Sequence, residues 1–115
     1  MKSDTNREPT ASAPISWQRE APCACLRIEI SAREAHLFPY QHFVTASLNQ
    51  SGESETLRLL FSTHDVEITG QNLRPLLLAL QDFSVKWLRA VPQRFHSLMD
   101  SKNGVVAQIR VEEVS

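Results

Sequence analysis

Glycine is scarce in this chain. Only Gly52, Gly70 and Gly104 occur among 115 residues, and they are widely separated. Neither a P-loop nor a dinucleotide-binding fingerprint can be assembled from them, because both need clustered glycines where backbone approaches phosphate. Cysteine is scarcer still. Cys23 and Cys25 are too few for a disulfide framework. On a strand their Cα atoms would sit about 6.5 Å apart on one face, so bridging them would buckle the strand. Reduced thiols are the expectation. A structural zinc site needs four ligands, and His36, His42, His64 and His96 contain no pair at i, i+3 or i, i+4. No metal or cofactor is therefore expected.

An excess of one charge is also missing. Twelve Lys and Arg oppose thirteen Asp and Glu, a formal net charge of −1. No global field steers the chain toward DNA or an anionic membrane. The longest apolar run is the five residues 76–80, against about 20 for a membrane span. No apolar stretch of secretory type opens the chain, so cytoplasmic residence is the expectation.

What is present is a change of hydrophobic period. Leu57, Leu59 and Phe61 recur at every second position, with Arg58 and Leu60 between them, and Val66 and Ile68 alternate on the opposite parity. Leu73, Leu76, Leu77 and Leu80 then fall at i, i+3, i+4 and i+7, one stripe of a helix. The pattern predicts a hairpin followed by a helix lying on the sheet. Asn72 is the expected N-cap, Pro75 suits the first turn, and the helix should reach Gln81 or Asp82.

Elsewhere the chain reads as more sheet. Residues 1–22 hold Pro9, Pro14 and Pro22, balanced charges and few large apolar side chains beyond Ile15 and Trp17. Such a segment buries too little to offset its ordering entropy, so it reads as a flexible tail. A single domain is expected over 23–115. A first strand places Ala24, Leu26, Ile28 and Ile30 on one face, 31–35 connects, and a second strand over 42–49 carries Val44, Ala46 and Leu48 inward. After a turn at 50–53, a third strand covers 56–62. Antiparallel pairing of Leu48 with Leu57, Ala46 with Leu59 and Val44 with Phe61 matches every inward residue to an inward one. The next pairing sets Phe61 against Val66 and Leu59 against Ile68, with the chain turning at 62–65. Residues 83–91 fork between strand and continued helix; Phe83, Val85 and Trp87 favour the strand. Asn103-Gly104 cues a hairpin between 95–99 and a strand with Val105, Ala107, Ile109 and Val111 alternating. The expected fold is α+β: an antiparallel meander of hairpins with one amphipathic helix packed on one face.

Candidate chemistry is sparse. His64-Asp65 resembles an oriented imidazole, but neighbouring residues point apart and no nucleophile context surrounds them. Trp17, Phe38 and Tyr40 form an aromatic contact patch if the bend at Pro39 leaves them exposed. Arg74, Lys86, Arg89 and Arg94, interleaved with Phe83, Trp87 and Phe95, combine basic and stacking groups of the kind that bind single-stranded nucleic acid. No RNP-like string or GXXG accompanies them. The expected function is non-catalytic: binding of a protein partner or of itself, with homodimerisation through an open sheet face or edge. Nucleic-acid binding through 74–96 is the alternative, and a small hydrolase or metal-dependent enzyme a third reading.

Overall fold

A computed structural model describes residues 15–98 and 104–114. Among the described residues, eight strands form two sheets. These are β1 (Trp17–Arg19), β2 (Cys25–Ser31), β3 (Glu34–Pro39), β4 (Phe43–Ser51), β5 (Ser54–Phe61), β6 (His64–Gln71), β7 (Val85–Arg89) and β8 (Val105–Glu113). The helix α1 (Arg74–Gln81) joins β6 to β7. One sheet has the order β1-β7-β2-β3 and the other β4-β5-β6-β8. All pairings are antiparallel except that of β2 with β7. The class is α+β, mostly antiparallel sheet with one helix packed against it.

The two sheets share one core, which was not expected from the hydrophobic pattern. Leu26, Ile28, Phe38 and Leu88 from the first sheet pack with Leu57, Leu59, Phe61, Val66 and Ile68 from the second. The Phe38 and Phe61 rings meet across the gap at 4.6 Å. A single alternating strand face says only that something covers it; it cannot say whether helix or second sheet does. The other sheet thus shares with the helix the apolar face that the helix alone was expected to cover, and the opposite face stays open. The outer face of the β4–β8 sheet is polar, with Arg58 against Asp65 and Glu67, and Arg110 against Glu67.

Register follows the expectation in part. Leu48 pairs with Leu57 and Ala46 with Leu59. Val44 does not pair with Phe61: a bulge sets Phe43 opposite Phe61 and leaves Val44 62% exposed. The β5–β6 hairpin turns on Ser62-Thr63 alone, so Leu59 meets Val66 and Leu57 meets Ile68, two residues from the expected register. A shift of two keeps every side chain on its face, which is why parity could not detect it. The expected connection at 31–35 includes the start of β3, whose pairing with β2 runs from Ser31↔Glu34 to Cys25↔Pro39. The expected hairpin partner near 95–99 is a 3-10 turn, Gln93–Leu98, and β8 pairs with β6 instead. Residues 99–103 lie outside the described residues, as do 1–14. From Ser16 the chain is built into the fold upstream of residue 23. Ser16 O accepts from Arg89 N–H at 2.7 Å, and Ser16 Oγ accepts from Val106 N–H at 2.9 Å.

The helix is capped from a distance. Pro75 stands in its first turn, but Asn72 adopts φ 54° and the N-cap position falls to Leu73, with no side-chain cap of its own. The Leu73 N–H instead donates to Glu55 Oε1 of β5 at 2.7 Å. A carboxylate at a helix N-terminus satisfies an orphan donor and complements the dipole. Glu55→Ala is expected to destabilise the fold by about 1 kcal/mol. Its urea-unfolding midpoint checks this, and an unchanged midpoint would contradict the cap.

Candidate interaction surface

The sequence-derived aromatic patch is not a surface. Phe38 and Tyr40 are both 4% exposed, and Trp17 is half-buried against the core. Strand β3 carries Phe38 inward onto Phe61, and the 3-10 turn Tyr40–His42 rolls Tyr40 beneath the helix–strand junction. Trp17 on β1 and Phe38 on β3 stand at opposite edges of their sheet, with β7 and β2 between them.

Tyr40 plays a structural part. Its hydroxyl donates to Val85 O at 2.6 Å, and the Cys23 thiol approaches the same carbonyl at 3.6 Å. Burial pushes the Tyr40 phenol well above its ordinary value of 10.0, and proximity to Cys23 adds to it. Burial and then Glu20 push the Cys23 thiol above 9.0. Both groups bind protons more tightly folded than unfolded. Their stabilisation is therefore complete below the unfolded values and lost as pH rises through the folded ones. Urea midpoints should fall progressively above about pH 9, and Tyr40→Phe should flatten the part of that fall above about pH 10. A midpoint that is flat up to about pH 11 would refute the assignment.

The basic residues are divided among several elements. Arg74 opens α1, Lys86 and Arg89 lie on β7, and Arg94 follows in the 3-10 turn. Lys86 has no Cα partner in β1, and this bulge lets Val85 and Leu88 both turn inward. Lys86 pairs with Glu20 at 3.2 Å. Arg89 lies over the Trp87 ring at 4.9 Å and donates to Ile15 O at 3.1 Å. Arg94 lies over Phe95. His64 and Asp65 point to opposite faces of β6: His64 sits edge-on to Phe38 at 5.2 Å, while Asp65 pairs with Arg58. Among the described residues no three His, Cys, Asp or Glu side chains gather in a metal-binding group.

The surface that stands out is the β4 edge. Among the described residues β4 is hydrogen-bonded on one side only, to β5. Its nine residues, FVTASLNQS, contain no charge and no proline. Natural edges are blunted by charges, proline, brevity or cover, and the other three edges are. Strand β3 bears Glu34, His36 and Pro39; β1 has three residues; β8 ends in Arg110, Glu112 and Glu113 and meets Val91 N–H through Val106 O. Only the Val44 bulge disturbs β4. Beside it lies a groove of about 290 Å³ lined by Phe43, Ala46, Leu77, Leu78, Leu80 and Gln81. Leu78, off the helix's buried stripe, is 49% exposed.

Phe83 extends this apolar surface. It is 44% exposed, and rings link it through Tyr40 at 5.0 Å to Phe43 at 6.5 Å. Its backbone has φ 57°. The helix ends with Ser84 N–H bonding Ala79 O and Phe83 N–H bonding Leu80 O. That is a Schellman ending, whose left-handed residue is usually glycine. A bulky residue there costs about 1 kcal/mol or more. An exposed aromatic held at that cost marks a position where local stability is not what the residue serves. Comparison of the chain with protein-family models, with curated proteins and with solved structures finds no match in any of the three. Nor is any helix among the described residues long and apolar enough to cross a membrane.

The sequence reading missed this surface, although half of its signal was visible. The neutrality of 43–51 is legible in the residues themselves; that the strand lies at an edge is not. Phe83, standing where a glycine usually follows a helix end, was a further, unread sign.

Proposed function

We propose that this protein is a non-catalytic interaction domain that works by strand addition. An extended, uncharged segment pairs with the free β4 edge, and its alternate apolar side chains enter the groove beneath α1. Main-chain hydrogen bonds supply affinity in this mode, and the pocket for alternate side chains supplies selectivity. The observation that carries the reading is the uncharged, one-sided β4 strand lying directly beside an apolar groove. Nucleic-acid binding has less support, because Lys86 is taken up by Glu20 and Arg89 by Ile15 O and Trp87.

The test is site-specific photo-cross-linking of the full chain in its host cell. A benzophenone side chain at Val44 should give a discrete protein adduct that Leu78→Lys suppresses. The same group at Gln108, on the polar outer face, should give none. Equal adducts from both positions, or none from Val44, would sink the proposal.

A further inference from the structure

We infer that the strand completing the β4 edge is β4 of a second copy of this chain, joined about a two-fold axis at Ser47. This inference rests on the strand-addition reading and names its partner. A two-fold contact is self-complementary, so every residue of the edge must tolerate its own mirror position. Any charged side chain near such an axis would meet its own like charge. Strand β4 has none along its whole length, about 30 Å at strand rise, whereas β3 and β8 both carry charges.

Parity adds a second constraint. Thr45, Ser47 and Asn49 lie on the polar outer face, opposite Leu60, Arg58 and Thr56; Ala46 and Leu48 face inward, opposite Leu59 and Leu57. An axis passing between residues would set outer side chains against inner ones. An axis through a residue keeps inner with inner. Ser47 is the midpoint of Phe43–Ser51. That axis puts Leu48 of the second copy opposite Ala46, which lines the groove with Phe43, Leu77 and Leu78. The dimer is then one continuous eight-stranded sheet, with a groove at each side of the axis receiving a leucine from the other copy.

Ser47 is exposed, so replacing it leaves the core intact. Ser47→Lys and Ser47→Glu each place like charges face to face in a homodimer and opposite charges in a mixed dimer. Sedimentation and native mass spectrometry of the full chain should show a wild-type dimer. Each variant alone should dimerise about tenfold or more weakly, and their equimolar mixture should recover a heterodimer. A wild-type monomer at about 100 µM, or variants that dimerise like wild type, would overturn the inference. The two proposals fail separately. A wild-type monomer with a Val44 adduct to a different protein retains strand addition and removes the second copy. A monomer with no Val44 adduct removes both.

Discussion

Gly70→Ala is expected to lower unfolding free energy by about 3 kcal/mol or more, a large share of a domain's ~5–15 kcal/mol. Gly70 pairs with Val106 where β8 bulges at Ala107. A Cβ at Gly70 would overlap the Val105 carbonyl oxygen and press on Val105 C and Val106 Cα, which are backbone atoms of the neighbouring strand. No rotamer change relieves a backbone clash, so β6 and β8 must separate and lose ladder hydrogen bonds around the break. Gly52→Ala is the control. It has φ 65° but nothing within 4 Å of an added Cβ, so its cost is about 1 kcal/mol, conformational alone. Urea unfolding of both variants checks the pair. Equal midpoints would show that the β6–β8 approach is looser than described.

Phe61→Ala should destabilise by about 3–5 kcal/mol. Phe61 is 1% exposed and joins the sheets, stacking on Phe38 at 4.6 Å and lying 5.4 Å from Phe43. Truncation removes ring contacts on both sides and leaves a void that two hydrogen-bonded sheets cannot readily collapse into. Phe61→Leu, which refills part of the space, should recover about half of the loss. Chemical denaturation measures both. A loss under about 1 kcal/mol for the alanine variant would mean that the sheets are not held together at this ring.

Much of the local structure was legible without coordinates. The period over 57–80 specified β5, β6 and α1, with the helix ending at Gln81 as expected. Val85–Arg89 is strand, as the β-propensity of 83–91 indicated. The inward faces of Leu57, Leu59, Ile68 and Leu76 were all readable. Bulges were not. Val44 and Ala107 each shift the ladder by one residue, so Val44 turns outward and Val106 turns inward. A bulge answers the twist and closure of the whole sheet, and nothing in its own residues need announce it. The aromatic patch failed for a related reason. Phe38 and Tyr40 look alike as contact residues or as core residues, and only the arrival of Phe61 and Val85 from other strands settled which they are.

By itself the sequence determined the identity and face of most elements, the neutrality of residues 43–51 and the presence of Phe83 rather than glycine just past the end of α1. Each is encoded by side chains within a few positions of one another, through backbone periodicity and local sterics. Only the tertiary structure decided that there are two sheets, that β7 runs parallel to β2, that Glu55 caps the helix from β5, and that β4 lies at an edge beside a groove. Those features depend on which distant segments meet. Strand pairing is made by backbone groups that every residue carries alike, so local composition does not name the partner.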